Sequence, residues 1–171
     1  MKYHCTYDSP VGTLHLVSDG EALIAATFRR EDPDVSDSTL DPLAKPFAAA
    51  KHQLDEYFQG KRKGFDLPIN LRGTGFQVRA WKALNEIPYG ETISYKAQAE
   101  RVGSVPRAVG LANGQNPVPI IVPCHRVIGA DGSLVGYGGG LDLKRALPQF
   151  EALVNDFGPQ PFPIIKTKAL A

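Results

Sequence analysis

The sequence predicts an α+β fold in which a small strand-rich region precedes a region of short helices. Three β-type runs separated by turn residues open the chain, and one amphipathic helix follows them. Beyond residue 73, apolar residues at helical spacing alternate with glycine and proline. The 171 residues suffice for one domain or two small ones. We therefore predict an N-terminal α+β domain at 1–72, a helical domain at 73–157 and an irregular tail at 158–171.

The first elements are predicted as three short strands. β-type residues dominate positions 3–7, 13–17 and 23–28. The turn signals Ser9-Pro10-Val11-Gly12 and Asp19-Gly20 separate these runs, so each strand ends where a turn can form.

A loop, a helix and a last strand are predicted for the rest of this domain. Residues 29–41 are acidic and rich in Ser, Asp and Pro, which is typical of a mobile loop. The helix that follows ends at Gly60. Its apolar face consists of Phe47, Ala50, Leu54, Tyr57 and Phe58. Residues 65–71 favour one more strand, and the basic run 61–63 is interpreted as a solvated turn.

The helical domain is predicted to begin with a capped helix. Thr74 and Gln77 have the spacing of a capping box, in which each side chain bonds the other residue's backbone amide. The apolar face behind this cap consists of Phe76, Ala80, Leu84 and Ile87. The turn residues Pro88-Tyr89-Gly90 are expected to end the helix.

Two further short helices form a pattern that fits a helix-turn-helix. Ser94 is predicted to cap the first helix, which Gly103 stops, and Ser104 is predicted to cap the second helix at 105–114. The inward face of the second helix would consist of Val105, Ala108, Val109 and Ala112, and its outward face of Arg107, Gly110, Leu111 and Gly114. The pattern fits an ordinary helical hairpin equally well, although small residues beside Arg107 would let the helix approach a groove closely.

A final helix is predicted at 142–154. Its inward face would consist of Leu143, Leu147, Phe150 and Val154. Pro148 falls inside this pattern, where proline costs roughly 3 kcal/mol in a regular helix. We expect the helix to kink there or to begin later.

Composition and charge narrow the class of protein. Hydrophobic residues at 43% and charged residues at 22% are ordinary globular values, and no apolar run approaches the length of a membrane helix. The start of the chain lacks a signal-peptide pattern, and two distant cysteines do not form a disulfide framework, so a cytoplasmic setting is expected. Residues 1–71 hold 8 Lys/Arg against 11 Asp/Glu, whereas residues 72–145 hold 9 against 5. The second region is thus suited to a polyanion, without this charge showing that it binds one.

The run Pro123-Cys124-His125-Arg126-Val127 is the most informative motif. Pro123 interrupts the apolar stretch Ile120-Ile121-Val122, so Cys124 could be delivered to the mouth of a pocket. A neighbouring imidazole commonly promotes the reactive thiolate. From the residues alone, a small buried hydrophobic cysteine is the commoner alternative.

Beyond these local patterns, the order of motifs in residues 73–145 resembles the O6-alkylguanine-DNA alkyltransferases, also called methylated-DNA–protein-cysteine S-methyltransferases. The matching motifs are Phe76-Gln77 with Trp81, Ile87-Pro88-Tyr89-Gly90-Glu91-Thr92, Ser94-Tyr95, Arg107-Ala108-Val109-Gly110, Asn116-Pro117, Pro123 to Gly129 and Gly136-Tyr137-Gly138-Gly139-Gly140. The resemblance implies a ribonuclease H-like α+β N-terminal domain followed by a helical, winged-helix-like DNA-binding domain with a helix-turn-helix.

The resemblance also implies the reaction. Such proteins repair duplex DNA by moving the alkyl group of O6-alkylguanine, and less so of O4-alkylthymine, to a cysteine that stands here as Cys124. The base must leave the stack, and Arg107 matches the arginine that fills the vacated space. Tyr95 matches the tyrosine that crowds the phosphate and donates a proton toward guanine. Ala108 and Gly110 would face the minor groove.

Further site residues follow from the same resemblance. His125 would act on Cys124 through a bridging water, with Glu151 orienting the imidazole. Asn116 would tie the helix-turn-helix to the cysteine segment. The base pocket would be lined by Pro119, Tyr137 and Gly138, and the backbone carbonyls of Cys124 and Val127 would bind the exocyclic amine of guanine. Arg126 is expected to be a structural ion-pair partner.

No cofactor and no metal are expected, because His4 and Cys5 alone do not make a zinc site. The expected partner is double-stranded DNA that contains O6-alkylguanine, bound by a monomer, with cooperative binding left open and no membrane involved. Because a thioether has no good leaving group, the protein would act once.

Two other functions are weighed against the transferase. A lesion-sensing relative would flip the base without an acceptor cysteine, and the presence of Cys124 argues against it. A cysteine hydrolase or redox enzyme would need an oxyanion hole or a resolving cysteine.

The sequence departs from the family pattern around Glu151. The departing residues are Ala146, Leu147-Pro148, Phe150 and Ala152.

Overall fold

The computed structural model describes residues 1–129 and 141–163, with 141 and 142 described in their backbone only. The chain divides into two compact units: residues 1–71 together with the segment from 159 onward, and residues 72–158. The first unit combines a sheet with helices and the second is mainly helical, which confirms the predicted α+β class.

A four-stranded sheet organises the first unit. Its strands are β1 (Tyr3–Ser9), β2 (Gly12–Ser18), β3 (Leu23–Thr27) and β4 (Thr39–Leu40). Their order in the sheet is β3-β2-β1-β4, with β1 and β2 forming an antiparallel hairpin and β4 pairing parallel with β1. The three predicted strands are therefore confirmed.

Residues 29–41 are more ordered than the sequence predicts. They contain the short helix α1 (Pro33–Ser36) as well as β4. The Asp32 side chain caps α1 by accepting from the Asp34 amide, and Pro33 suits the first helical turn. Val35 is buried in a cluster with Val17, Ile24 and Ala25. The prediction of a mobile loop missed this apolar anchor.

The predicted helix of the first unit is α2 (Phe47–Phe58), and all five predicted apolar residues on it are buried. The strand predicted at 65–71 is wrong, because this segment makes a single bridge between Ile69 and Leu23. The tail lacks regular structure at 159–163 but packs on this unit. The Phe162 amide donates to the Phe58 carbonyl at 2.7 Å, and the two rings meet edge to face.

The second unit begins with α3 (Gly75–Leu84), and the Thr74–Gln77 capping box is present as predicted. The helix ends earlier than predicted. Asn85 follows its last residue, so Pro88-Tyr89-Gly90 forms a separate turn. That turn contributes to the candidate site described below.

The helices α4 (Tyr95–Val102) and α5 (Pro106–Gly114) form the predicted pair. Ser94 caps α4 by accepting from the Ala97 amide, and Gly103 follows α4 with φ of 68°, which confirms both signals. The predicted Ser104 cap is wrong: Val105 occupies the cap position of α5 without a side-chain hydrogen bond. Pro106, at the first turn, sets the start of the helix instead. Val105, predicted to face inward, is 58% exposed, and Ala108 is only half-buried.

Buried polar side chains fix the arrangement of α3, α4 and α5. The Gln98 and Asn113 side-chain amides donate to one another, at 3.0 and 2.7 Å. The Trp81 indole donates to the Ala112 carbonyl at 2.7 Å. Because these buried polar groups are hydrogen-bonded, they specify contacts among the three helices that apolar packing alone would not fix.

The last helix, α6 (Leu141–Phe157), continues through Pro148, and its predicted inward face is buried. Two short strands, β5 (Ile93–Ser94) and β6 (Val127–Ile128), pair in parallel. This pairing places the start of α4 beside the segment that follows Cys124. Across the described ranges, no helix has the length and apolar character needed to cross a bilayer.

Candidate active site

A tight turn precedes the cysteine, where the sequence suggested an extended run. The Val122 amide donates to the Val118 carbonyl at 2.9 Å, and the backbones of Pro119 and Val122 form an isolated β-bridge. Ile120 lies in this turn with φ of 74° and is buried. A β-branched residue at positive φ costs on the order of 1–3 kcal/mol, so surrounding contacts must hold the turn.

Asn116 provides such contacts. Its side-chain oxygen accepts from the Val118 amide at 3.0 Å, and its side-chain nitrogen donates to the Val122 carbonyl at 2.8 Å. One amide group therefore clamps both ends of the turn. It also hydrogen-bonds the Cys124 thiol, which follows the turn directly.

Cys124 lies in a 3₁₀ turn, Cys124–Arg126, and is 3% exposed. The sulfur is therefore buried in the structure, and part of the predicted pocket, Tyr137 and Gly138, lies outside the described residues. Burial raises the pKa of the Cys124 thiol to about 11, although Asn116, the Lys144 charge and the backbone amide oppose this rise. The resting form near neutral pH is the thiol, so its reaction requires a base.

The structure brings His125 and Glu151 together, as the sequence predicts. Nε2 of His125 donates to Oε2 of Glu151 at 2.6 Å, and both side chains are fully buried. In the neutral imidazole this leaves Nδ1 as the basic nitrogen. Among the described residues, Nδ1 has no hydrogen-bond partner.

Glu151 is held by donors from several directions. Nε and Nη2 of Arg126 donate to its carboxylate at 2.8 and 3.2 Å, and the Gly90 amide donates at 3.2 Å. Burial alone would raise the pKa of Glu151, but the charge of His125 and hydrogen bonds from His125 and Arg126 lower it to about 2. The carboxylate therefore stays ionised and orients the imidazole.

Arg126 has the structural ion-pair role expected of it. Its remaining Nη1 donates to the Ile87 carbonyl at 2.8 Å, and its guanidinium lies 5.5 Å from the centre of the Tyr89 ring. The Asn155 side chain donates to the Tyr89 carbonyl at 2.8 Å. The turn after α3 is thus fastened to the same helix face that carries Glu151.

The sequence analysis missed Lys144. This lysine is only 2% exposed, and its Nζ donates to the Tyr95 hydroxyl at 2.5 Å. Burial lowers the pKa of Lys144, and the nearby Cys124 opposes that shift. A usable signal existed, because Lys144 precedes Glu151 by seven residues and therefore shares its helix face.

The residues predicted to meet DNA fall into two groups. Arg107 is exposed on α5, and Gly110 lies against the Tyr95 ring, where an added Cβ would be 3.7 Å away. Pro119 and Val127 are buried beside the cysteine segment. Tyr137 and Gly138 lie outside the described residues.

Two sequence profiles match the chain. One, described as "6-O-methylguanine DNA methyltransferase, DNA binding domain", matches residues 75–153. The other, described as the "ribonuclease-like domain" of the same protein, matches residues 2–71. The chain belongs to the 6-O-methylguanine DNA methyltransferase family.

Members of this family match along nearly the whole chain. A methylated-DNA–protein-cysteine methyltransferase from Mycobacterium bovis is 49% identical over 153 residues, covering 88% of this chain and 93% of the relative. A protein of the same name from Methanosarcina acetivorans is 45% identical over 153 residues, covering 87% and 97%.

Solved structures of the family agree in fold. The Mycobacterium tuberculosis O6-methylguanine methyltransferase superposes with a TM-score of 0.83 at 50% identity, covering 89% of this chain and 93% of the other. The Mycobacterium tuberculosis protein in complex with DNA gives a TM-score of 0.81 at 51% identity, covering 88% and 92%.

The next feature considered is a metal site, sought in the parts of the chain that the structure describes. There, no group of three or more His, Cys, Asp or Glu residues could hold a metal ion. Cys5 and Cys124 are both free thiols.

Proposed function

We propose that this protein repairs alkylated duplex DNA by moving one alkyl group from O6 of guanine, and less readily from O4 of thymine, to Sγ of Cys124. One observation carries this proposal. The buried Cys124 thiol is followed directly by His125, which is hydrogen-bonded to the buried Glu151 carboxylate. Membership of the 6-O-methylguanine DNA methyltransferase family supplies the substrate class.

Activation of the thiol falls to His125. Because Nε2 donates to Glu151, Nδ1 is the nitrogen that takes the thiol proton, through a bridging water. The imidazolium that forms faces a carboxylate whose pKa is lowered to about 2, so Glu151 keeps the negative charge. This arrangement offsets the burial that holds the thiol protonated at rest.

The transfer is an in-line displacement. The Cys124 thiolate forms a bond to the alkyl carbon while the bond from that carbon to O6 breaks, and guanine leaves as an anion. The Tyr95 hydroxyl supplies a proton to the guanine ring. Since the Lys144 ammonium donates to the Tyr95 oxygen, the hydroxyl hydrogen is directed away from the lysine.

Tyr95 is assigned both roles that the resemblance implies, the proton transfer and the crowding of the phosphate. It is 7% exposed, and Gly110 of α5 lies against its ring.

The product explains why each molecule acts once. A thioether at Cys124 has no good leaving group, so the alkyl group stays on the protein. Repair is therefore stoichiometric, with no cofactor consumed.

DNA binding is assigned to α4 and α5. Arg107 projects from α5 and would fill the space that the flipped base vacates, with Ala108 and Gly110 allowing close approach to the minor groove. Asn116 would hold the cysteine segment against this pair of helices through its two backbone hydrogen bonds. Pro119 would line the base pocket together with Tyr137 and Gly138, and the backbone carbonyls of Cys124 and Val127 would bind the exocyclic amine of guanine.

A cytoplasmic location is part of the proposal. Two free thiols, one of them the alkyl acceptor, suit a reducing compartment.

Intact-protein mass spectrometry tests the function. The protein is mixed with a duplex that carries one O6-methylguanine, beside a Cys124→Ser control. We expect a gain of one methylene mass that saturates at one per chain, maps to Cys124 and is absent from the control. Tight lesion-selective binding without any mass change would instead indicate a lesion sensor.

A further inference from the structure

Leu111 is a large apolar residue on the exposed face of α5. The buried side of this helix is formed by Val109, Ala112 and Asn113. Leu111 points away from them and is 67% exposed. Its apolar side chain thus contributes little to the core of the unit.

The neighbours of Leu111 make it stand out. It follows Arg107 by four residues, so the two side chains share a face about 6 Å apart along the helix axis. Gly114, which is also exposed on α5, adds no bulk, whereas Gly110 is half-buried against the Tyr95 ring. A helix shaped only for close approach would have a small residue at position 111 as well.

We propose that Leu111 is an apolar wedge that packs against the deoxyribose wall of the minor groove one helical turn from Arg107. The inference rests on the proposed DNA-repair function. Sugar rings line this groove, and leucine is among the apolar side chains that minor-groove proteins direct into the groove toward the base steps. Contact with the sugars would steady α5 while Arg107 occupies the base stack.

Charge and size both favour DNA as the occupant. Arg107, an exposed cation, stands beside the leucine on the same helix face. A protein partner would need a stable interface of roughly 1,000 Å² or more, whereas this face offers one large apolar side chain beside Arg107 and Gly114. The minor groove requires no wider apolar surface.

Salt dependence separates an apolar contact from a charged one. The affinity of a duplex with one O6-methylguanine is measured between 50 and 200 mM salt, with Cys124→Ser in every variant to prevent transfer. Leu111→Ala should weaken binding about fivefold to tenfold at each salt concentration, with an unchanged slope. Arg107→Ala should also lower the slope of log affinity against log salt, because it removes a cation that lies within the DNA.

Leu43→Ala is the matched control, because Leu43 lies in the first unit and is 91% exposed. It should bind the duplex like the parent, and Leu111→Met should restore most of the affinity that Leu111→Ala loses. Circular dichroism and thermal melts confirm that each variant is folded.

Three results would overturn the inference. They are an affinity of Leu111→Ala equal to the parent's, a loss matched by Leu43→Ala, and a loss of self-association without any change in DNA affinity. The last result would assign Leu111 to a contact between protein copies. Methyl transfer to Cys124 in the otherwise native protein is measured separately, so failure of the wedge is distinguishable from failure of the repair function.

Discussion

Lys144 donates a hydrogen bond to the Tyr95 hydroxyl within the helical unit, and both side chains are buried. The Lys144 nitrogen also lies 5.1 Å from the centre of the Tyr95 ring. Burial disfavours the charged form of a lysine, so the ammonium needs a partner that accepts a hydrogen bond. The pair therefore connects the Lys144 ammonium on α6 to Tyr95, the first residue of α4.

Lys144→Met is expected to slow alkyl transfer by roughly 10- to 100-fold, as loss of proton transfer commonly does. Without the ammonium, the Tyr95 hydroxyl loses its fixed orientation and its source of a replacement proton. Single-turnover rates with duplex O6-methylguanine and with the free base should fall together, because this pair acts on the base and not on the DNA backbone.

A double-mutant cycle with Tyr95→Phe sharpens this prediction. If Lys144 acts through Tyr95, the double variant should be no slower than the slower single variant. Lys82→Met, which removes an exposed lysine from α3, is the control and should react like the parent. Additive losses in the cycle would show that Lys144 acts independently of Tyr95.

Glu151 should make the free energy of unfolding depend on acidity. Its pKa is lowered from 4.5 to about 2 in the folded protein, so between these values the unfolded chain binds more protons. The stabilisation is fully present above pH 4.5 and is lost as the pH falls toward 2, on the order of a few kcal/mol in total.

Urea unfolding between pH 6 and pH 2 tests this dependence. Glu151→Gln should be less stable at pH 6, because Arg126 loses its carboxylate, but its stability should fall less steeply in acid. Asp156→Asn removes an exposed carboxylate from the same helix and should keep the parent's steepness. A Glu151→Gln variant with the parent's acid dependence would contradict the assigned cause.

Local signals were enough to predict much of this fold. The Thr74–Gln77 box, the Ser94 cap and the Gly103 stop were all found, because such caps depend on residues three to five positions apart. The buried face of α6 was also predicted from its spacing. Ser104 shows the limit of this approach, since Pro106 decided where α5 begins.

The candidate site was predictable in its reacting residues and less so in its surroundings. The Cys124-His125 motif was noted from the residues, and the roles of Cys124, His125 and Glu151 followed from the family resemblance. Lys144 was missed because a lysine among apolar residues is usually solvated, and only a tertiary contact with Tyr95 buries it. The left-handed backbone of Ile120 was also missed, because no pattern in the apolar run indicates that the Asn116 side chain clamps both ends of this turn.

Asn116 should lower the pKa of the Cys124 thiol. Its hydrogen bond opposes the effect of burial, which raises that pKa to about 11. Asn116→Ala should therefore raise the thiol pKa further, since a hydrogen bond that favours the thiolate is lost. Thiolate absorbance during a pH titration measures this in a Cys5→Ser background, which leaves one thiol.

Gln115→Ala is the control for that titration. Gln115 is the exposed neighbour of Asn116, and its change should leave the thiol pKa unaltered. A thiol pKa in Asn116→Ala equal to or below the parent's would show that the amide does not favour the thiolate.

Gly90 should be intolerant of any side chain, because its turn is packed against the helix that carries Glu151. Its φ is 83°, and an added Cβ would lie 2.0 Å from Nδ2 of Asn155 and 3.4 Å from the Glu151 carbonyl oxygen. Gly90→Ala should therefore displace Asn155 and loosen the Gly90 hydrogen bond to the carboxylate. We expect a loss of roughly 2–4 kcal/mol in the free energy of unfolding and slower alkyl transfer.

Gly103→Ala separates backbone strain from this clash. Gly103 also has positive φ, 68°, but nothing lies within 4 Å of an added Cβ. It should cost only about 1 kcal/mol, the strain of an alanine at positive φ, and leave the transfer rate unchanged. Equal losses in the two variants, measured by urea unfolding and single-turnover kinetics, would show that strain alone acts at Gly90. A larger loss at Gly90 that Asn155→Ala partly relieves would establish that the turn positions Glu151 through its fit against α6.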